Sequence, residues 1–313
     1  MERRRTRKEL PRPVLCQMNP QEGQPSFELV RLASGAWAVR DEAFGEIMHP
    51  GCGPAVEAAR LYVEQLRLAQ RFAAQQGREV VLWDVGLGAG ANALAMLQAA
   101  SAWPVRVRLL SFDLSLEPLR FARRHAGRLA YLAGWQGVLD VFVEGRGWSG
   151  TIGEAKVQWE FVSGDFAVRM AEPDLALPAP DGIAYDPFSP QRNPELWTAR
   201  LFRQVFRRLD PTRPCLLATY SRSNRVRVAL LLAGFFVGRG CAVGMKEETT
   251  VASNRLEWLD RPLDVDWLAR VRRSATAEPA WEPGEPPGPL RPATWEALRR
   301  HPQFAAGPEG ASR

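Results

Sequence analysis

Cysteine and histidine are scarce in this chain. The 313 residues include four cysteines and three histidines, all far apart, and no Cys-x-x-Cys pair occurs. This spacing indicates neither a zinc site nor a disulfide framework. We therefore expect no bound metal and a protein of the reducing cytoplasm.

Long apolar runs are missing as well. The stretch "VALLLAGFFV" at 228–237 is ten residues long and has arginines close to both ends, which is too short to cross a bilayer. The basic N-terminus "MERRRTRKEL" is followed by prolines and an arginine where an export signal needs an apolar segment. The sequence predicts a cytoplasmic protein that does not span a membrane.

Positive charge exceeds negative charge, with a formal net charge of +6 and a pI near 9.5. Between Arg200 and Arg227 there are eight arginines and one acid, Asp210. Such a surface favours a polyanionic partner, because neutralising phosphates releases their counterions. We expect a nucleic acid to bind this Arg-rich surface, with Arg203 and Arg207 among the phosphate contacts beside Arg200.

The length and composition allow one large domain with extensions, since 46% of the residues are hydrophobic and can form a substantial core. Residues 1–25 form a basic arm by composition, and 26–260 the main domain. Residues 261–313 include the proline-rich segment "EPAWEPGEPPGPLRP" and are expected to be a flexible or peripheral C-terminal extension.

Short β-rich runs alternate with helical stretches in the main domain. This alternation is typical of an α/β fold with a doubly wound, mostly parallel, Rossmann-like sheet. Five strands are predicted, at 79–86, 105–114, 157–165, 182–186 and 215–220. A helix is predicted to begin at Pro54 and another at Ala91.

A glycine-rich turn, "DVGLGAGAN" at 84–92, follows the first predicted strand directly. Its alternate positions are occupied by Gly86, Gly88 and Gly90. Glycines there allow a sharp bend and a close approach of ligand to the N-terminus of the next helix. Asp113 ends the second strand, where a carboxylate accepts ribose hydroxyls in doubly wound nucleotide sites. Asp165, after the third strand, is a candidate partner for an adenine amino group.

Two ligands fit this pattern. The spacing Gly86-x-Gly88-x-x-Ala91, with Asp113 downstream, also satisfies the dinucleotide-binding form, so a nicotinamide oxidoreductase is one hypothesis. S-adenosylmethionine has no pyrophosphate and needs only the turn, a ribose acid and a wall for adenine. The later segment at 186–188 has no role in hydride transfer, and it favours S-adenosylmethionine.

The stretch "DGIAYDPFSPQRNPELW" at 181–197 places an acid and an aromatic ring at the end of the fourth strand. Methyl transfer is an in-line displacement, and an amine must lose its proton before it attacks. Asp186 could orient such an amine, while Phe188 and Trp197 could stack on a base. The sequence therefore predicts an N-methyltransferase.

The same stretch, extended to "DGIAYDPFSPQRNPELWTARLF", resembles the D-x-W-x-x-D-x-F-[AS]-P-x-x-N-P-x-x-W…LF signature of the MnmC-type tRNA methyltransferase family. The matching residues are Asp181, Asp186, Phe188, Ser189, Pro190, Asn193, Pro194, Trp197 and Phe202. The segments at 45–65, 84–94 and 231–252 are also similar to that family, so the resemblance covers about 45–252.

The resemblance implies a class I methyltransferase that uses S-adenosyl-L-methionine on the aminomethyl group of wobble uridine in tRNA. The implied donor-binding residues are Asp84, Gly86, Gly88, Gly90, Asn92, Asp113, Leu114, Asp165 and Phe166. Asp186 would meet the amine, with support from Asp181. The implied substrate contacts are Phe188, Ser189, Pro190, Asn193, Trp197 and Lys246.

Some family members carry a fused flavin-dependent oxidase that produces the amine. Because a second domain of that size does not fit within 313 residues, no FAD is expected, and a separate oxidase would supply the aminomethyl substrate.

The sequence departs from the family pattern at three places. Pro187 stands where the family usually has a small residue, Ile183 replaces an aromatic, and residues 139–154 form an insertion. The sequence Asp186-Pro187-Phe188 is also similar to the Asp/Asn-Pro-Pro-Phe/Tyr loop of methyltransferases that act on exocyclic amines. Methylation of adenine or cytosine in nucleic acid is therefore the alternative function, and a non-catalytic RNA-binding relative is a further hypothesis.

Overall fold

The computed structural model describes residues 26–74, 77–244 and 247–305. The strands are β1 (Phe27–Arg31), β2 (Trp37–Asp41), β3 (Glu46–Ile47), β4 (Glu79–Val85), β5 (Arg106–Asp113), β6 (Gly147–Ile152), β7 (Ala155–Ser163), β8 (Gly182–Tyr185), β9 (Leu216–Thr219), β10 (Phe236–Arg239) and β11 (Thr250–Ser253).

The α-helices are α1 (Pro54–Ala58), α2 (Leu68–Ala74), α3 (Ala91–Ala100), α4 (Glu117–Arg124), α5 (Gln136–Gly145), α6 (Phe166–Ala171), α7 (Ala199–Arg207), α8 (Asn224–Ala233), α9 (Val265–Arg272), α10 (Pro292–Arg299) and α11 (Pro302–Ala305). A π-helical segment, Ala59–Glu64, continues α1, and short 3-10 turns lie at Ala130–Leu132, Pro194–Trp197 and Leu256–Trp258.

The central sheet has eight strands in the order β10-β11-β9-β8-β4-β5-β7-β6. Strands β4, β5, β7, β8 and β9 are parallel, whereas β6 and β11 run antiparallel to their neighbours. The chain leaves β4 towards β5 on one side and later returns to β8 on the other. Their carboxyl ends therefore flank the switch point at which open α/β sheets bind ligands. The five predicted strands and the doubly wound fold are confirmed.

The sequence of β4, "EVVLWDV", shows why the sheet is covered on both faces. Val80 and Leu82 belong to one core layer, and Val81 and Trp83 belong to the other, because successive side chains of a strand point to opposite faces. Helix α3 packs into the first layer, and α7 and α8 pack into the second. A central strand that is apolar on both faces thus fixes the layered architecture.

A small antiparallel sheet, β1-β2-β3, precedes the main sheet and was not predicted from the sequence. It leads through the loop 48–53 into α1, which begins at Pro54 as predicted. The π-helical segment that follows buries Tyr62 completely. This N-terminal region lies against the carboxyl edge of the central sheet, where it forms one wall of the candidate site.

The expectation of a flexible or peripheral C-terminal extension is wrong for residues 263–304. Trp267, Val271, Leu298 and Phe304 are buried in the second core layer with α8. The buried Glu278 accepts hydrogen bonds from the Thr294 hydroxyl and the Arg291 N–H. These bonds join the loop after α9 to the first turn of α10. The proline-rich stretch forms the connection that precedes α10. The apolar side chains before and after this connection pack into the second core layer.

The predicted insertion at 139–154 contributes the end of α5 and the edge strand β6. The α5 ring of Phe142 stacks on Trp159 of β7 with centroids 3.8 Å apart, so the insertion is part of the first core layer. The basic arm predicted for 1–25 lies outside the described residues, and so do 306–313. None of the described helices is both long enough and apolar enough to cross a membrane.

Candidate active site

A cavity of about 880 Å³ opens at the carboxyl ends of β4, β5 and β8. Its walls are the glycine turn, the ends of β5 and β7, the loop after β8, and the N-terminal segment 44–52. The structure places ten of the sequence-predicted site residues in these walls: Gly86, Gly88, Asp113, Leu114, Asp165, Phe166, Asp186, Phe188, Ser189 and Asn193. This volume lies in the range typical of small-molecule sites.

The glycine turn needs glycine for both backbone and space. Gly86 has a φ of 90°, and a Cβ there would lie 2.6 Å from the carbonyl oxygen of Asp186. Gly88 has a φ of 48°, again in the left-handed region. Gly90 does not line the cavity, because it begins α3 and a Cβ there would meet Leu119 at 2.8 Å. Gly86 thus lets the turn approach the loop after β8, Gly88 lets it approach Met48, and Gly90 allows close packing against Leu119.

Asp113 lies on the cavity wall at the end of β5. Its carboxylate accepts hydrogen bonds from the Gly88 N–H at 2.8 Å and the Leu114 N–H at 2.7 Å. Burial raises the pKa of Asp113 to about 6, although the backbone donors favour the ionised form. Each carboxylate oxygen can accept more than one hydrogen bond, so Asp113 retains acceptor capacity towards the cavity.

Asp165 has two roles at the end of β7. It caps α6 by accepting hydrogen bonds from the backbone N–H groups of Ala167 and Val168, at 2.7 Å and 3.2 Å. It also lines the cavity beside Phe166, whose ring packs edge-on against Phe112 with centroids 5.1 Å apart. Asp165 therefore both caps α6 and lines the cavity.

Asp84 and Asn92 support the site from outside the cavity wall. Asp84 is completely buried and accepts a 2.8 Å hydrogen bond from the Ser111 hydroxyl, which in turn accepts one from the Trp159 ring N–H. Burial raises the pKa of Asp84 to about 7. Asn92, in the first turn of α3, donates a 2.8 Å hydrogen bond to Asp186. Both residues are buried and are not part of the cavity wall.

Asp186 follows β8 directly, and its backbone N–H bonds to the Val85 carbonyl at 2.9 Å. Its carboxylate lines the cavity with 14% of the side chain exposed. Nε2 of His49 lies 3.8 Å from Asp186 Oδ2. Burial, followed by the charge of Asp186, raises the pKa of the nearby Tyr62 well above its usual value. The sequence pattern predicted no place in the site for His49 or Tyr62, because both come from the N-terminal region, whose position depends on tertiary packing.

The loop after β8 is held by the small N-terminal sheet. Glu46 of β3 accepts a hydrogen bond from the Ser189 N–H at 3.0 Å and another from the Ser189 hydroxyl. Phe188 stacks on Phe44 with ring centroids 4.5 Å apart and planes 26° apart. Both rings line the cavity, so the aromatic surface predicted from Phe188 alone is a pair.

Trp197 and Pro190, which the sequence predicts to contact substrate, do not line the cavity. Trp197 is buried, with its ring edge-on to Tyr185 and Tyr220 in the second core layer. Its ring N–H donates a 2.8 Å hydrogen bond to the carbonyl of Phe188. Trp197 therefore fixes the backbone of the loop after β8 from its buried side.

Asp181 is the clearest correction among the predicted catalytic residues. It precedes β8, at the amino edge of the sheet, whereas Asp186 follows the strand at the carboxyl edge, roughly 16 Å away along an extended chain. The buried Asp181 carboxylate binds Arg78 at 3.0 Å, Arg213 at 3.2 Å and the Val81 N–H at 2.9 Å. Asp181 thus joins the beginning of β4 to the beginning of β8. Lys246, also predicted to contact substrate, lies outside the described residues.

Comparisons with known proteins indicate similarity to methyltransferases. Residues 151–255 match a family described as S-adenosyl-L-methionine-dependent methyltransferase. The tRNA 5-methylaminomethyl-2-thiouridine biosynthesis bifunctional protein MnmC of Cupriavidus necator is 30% identical over 248 residues, covering 72% of this chain and 35% of that protein. The protein of the same name from Methylibium petroleiphilum is also 30% identical, covering 75% and 36%.

The crystal structure of MnmC2 from Aquifex aeolicus superimposes with a TM-score of 0.64 at 25% identity, covering 83% of this chain and 80% of that one. This chain belongs to the MnmC-type methyltransferase family. It spans about a third of the length of the bifunctional relatives. Family membership favours S-adenosylmethionine over the nicotinamide alternative.

Two of the arginines predicted to contact phosphate have partners within the protein. Arg200 forms an ion pair with Glu282, and the guanidinium of Arg203 lies 5.3 Å from the Trp281 ring centroid. Both partners belong to the C-terminal segment. Arg207 is exposed on α7, and Arg222 is exposed at the cavity wall. Among residues 26–74, 77–244 and 247–305, no cluster of three or more His, Cys, Asp or Glu side chains is arranged to hold a metal ion.

Proposed function

We propose that this chain transfers the methyl group of S-adenosyl-L-methionine to the amine of a 5-aminomethyl group on wobble uridine in tRNA. The observation that carries the proposal is the position of Asp186, which faces the same cavity as the glycine turn and is hydrogen-bonded to Asn92. The names of the MnmC relatives support the choice of tRNA as the substrate.

The residues of the cavity fit the methyl donor. In the proposal, the backbone of Gly86 and Gly88 approaches the donor closely, and the acceptor capacity of Asp113 receives its ribose hydroxyls. Asp165 and Phe166 lie on the next part of the wall and would meet the adenine, with Leu114 beside it. When bound, the donor supplies an electrophilic methyl group on a positively charged sulfur.

The acceptor side is built for a cationic amine. A carboxylate such as Asp186 attracts an ammonium group and accepts its hydrogen bonds. The aromatic pair Phe44 and Phe188 offers π-faces on which a base can stack. Ser189 is fixed by Glu46, and Asn193 lines the cavity beyond it. The chain would thus hold the amine at the end of β8 and the base on the aromatic pair, so that the nitrogen faces the methyl group.

The proposal includes a separate oxidase as the source of the aminomethyl group. That enzyme would act on the same wobble uridine first and leave a primary amine, and this chain would then methylate it. The Arg-rich surface is proposed to help bind the tRNA, with Arg222 near the cavity as the best-placed cation.

The test uses purified protein, S-adenosyl-L-methionine and tRNA from cells that lack this gene. Nucleoside mass spectrometry should show conversion of 5-aminomethyl-2-thiouridine to its methylamino form. Methylated adenine or cytosine would support the exocyclic-amine alternative instead. Binding of tRNA without methylation and without affinity for S-adenosyl-L-homocysteine would indicate a non-catalytic relative.

A further inference from the structure

His49 lies between two carboxylates in the wall of the cavity. Its Nε2 is 3.8 Å from Asp186 Oδ2, and its Nδ1 is 3.9 Å from Glu57 Oε2. All three side chains are at least 86% buried and line the cavity. The backbone of His49 has a φ of 58°, in the left-handed region that is uncommon for residues other than glycine. Such conformations persist where the surrounding structure holds a side chain in one place, and they cluster at functional sites.

The distance between His49 and Asp186 is too long for a hydrogen bond. It is short enough for one nitrogen atom to contact both Nε2 and Oδ2 at normal hydrogen-bond lengths. An ammonium group held by Asp186 would therefore also meet the imidazole. On the far side of the ring, Glu57 is fixed by a hydrogen bond from the Gly51 N–H, so its charge stays beside Nδ1.

The reaction requires a base at this position. The acceptor amine is mostly protonated at neutral pH, and the protonated form has no lone pair with which to attack the methyl group. A carboxylate, with a typical pKa of about 4, is a poor acceptor for that proton. An imidazole, with a typical pKa of about 6.5, is better matched to the task.

We infer that His49 is the general base of this site: its Nε2 removes a proton from the acceptor ammonium while Asp186 holds the nitrogen. This inference rests on the proposed function. The ammonium and neutral imidazole become a neutral amine and an imidazolium, which the carboxylates of Asp186 and Glu57 stabilise. The amine lone pair then forms the new N–C bond as the C–S bond breaks and its electrons return to sulfur. The imidazolium finally releases its proton to solvent through the open cavity.

Other charged groups of the cavity affect this proton transfer. They are Asp41, Glu46, Asp113, Asp165 and Arg222, with Tyr220 and Cys52 also in the wall. The acids outnumber the single arginine among these residues. Their combined field therefore attracts the cationic amine into the cavity.

The test measures single-turnover methylation of aminomethyl tRNA between pH 6.5 and pH 9 for wild type and His49→Asn. Asparagine tolerates the left-handed conformation, which protects the loop. We expect the variant to be about 100-fold slower at pH 7, with a deficit that narrows as pH rises and the amine loses its own proton. Affinity for S-adenosyl-L-homocysteine should stay within about threefold of wild type, a change of under about 1 kcal/mol. The matched control is His125→Asn, because His125 lies on the end of α4 outside the cavity wall.

A second variant, His49→Gly, removes the ring at a position where glycine is unstrained. Added imidazole should restore part of its rate, which a purely structural role for His49 would not allow. An equal deficit at every pH, a parallel loss of donor affinity, or the absence of rescue would overturn the inference. Wild-type protein that methylates no aminomethyl tRNA would refute the proposed function itself, which is a distinguishable result.

Discussion

The side-chain amide of Asn92 donates a 2.8 Å hydrogen bond to Asp186 Oδ2 and thereby joins the two halves of the cavity. Asn92 belongs to the first turn of α3, immediately after the glycine turn, whereas Asp186 follows β8. Because an amide does not titrate, this bond orients the carboxylate at every pH. The first turn of α3 thus helps to set the orientation of the carboxylate that follows β8.

The first prediction concerns this link. Asn92→Ala should lower the rate of methyl transfer about tenfold to 100-fold, because a hydrogen bond to a charged group contributes about 1.5–3 kcal/mol. Affinity for S-adenosyl-L-homocysteine, measured by calorimetry, should change little, since Asn92 does not line the cavity. Gln98→Ala is the matched control, as Gln98 is an exposed amide on the same helix. A loss confined to donor affinity would show that the donor-binding role implied by the sequence is correct instead.

The second prediction concerns Asp186. Asp186→Asn should lower the methylation rate about 10²- to 10⁴-fold, because the amide keeps the shape of the side chain but cannot balance the charge of an ammonium. Binding of S-adenosyl-L-homocysteine should survive, which separates acceptor chemistry from donor binding. Retained turnover would remove Asp186 from the proposed mechanism.

The part of the cavity around the glycine turn could be predicted from the sequence because its signals are local. Gly86, Gly88 and Asp113 stand at fixed distances from strand ends, and a parallel sheet brings strand ends to one edge. The same reasoning failed for Asp181, since sequence proximity to Asp186 hides the fact that the intervening strand separates the two by its whole length.

The part of the cavity around the loop after β8 depends on contacts between distant parts of the chain. His49, Glu46 and Phe44 reach the cavity only because the small N-terminal sheet packs against the loop after β8. No periodicity in the sequence encodes that docking. The position of Trp197 could not be predicted for a similar reason. The sequence does not distinguish an aromatic residue that stacks on a base from one that is buried and supports a loop.

The third prediction separates Asp181 from catalysis. Asp181→Ala should lower the free energy of unfolding by about 2–3 kcal/mol, because it deprives the Val81 N–H of its acceptor and leaves Arg78 and Arg213 without their shared partner. The cost is limited because both arginines are partly exposed and can be solvated. Chemical denaturation measures the loss. The rate per folded molecule should match wild type, and a catalytic defect at full folding would restore Asp181 to the active site.

The fourth prediction concerns pH. Burial raises the pKa of Asp84 to about 7, from 3.8 for a free side chain, so the folded state disfavours the ionised form. Its contribution to stability is therefore present below about pH 4 and is lost as the pH rises to about 7. Asp84→Asn should be close to wild type in stability at pH 4. It should be more stable at pH 8, by up to about 4 kcal/mol.

Denaturation of both proteins at each pH isolates this effect, because the other titrating groups are shared. The asparagine oxygen can still accept the hydrogen bond from Ser111. A destabilised Asp84→Asn at pH 8 would mean that the buried carboxylate is stabilised as an anion by its surroundings, which contradicts the raised pKa.

The last prediction concerns where tRNA meets the protein. Arg222→Ala should weaken tRNA binding and reduce the slope of log K against log salt by about one, as expected for a lost phosphate contact. Arg203→Ala should leave that slope unchanged, because its guanidinium already lies over Trp281. It should instead lower the melting temperature through loss of contact with the C-terminal segment. Filter binding over a range of salt concentrations measures both slopes, and a flatter slope for Arg203→Ala alone would place the RNA across α7, as the charge pattern of the sequence first indicated.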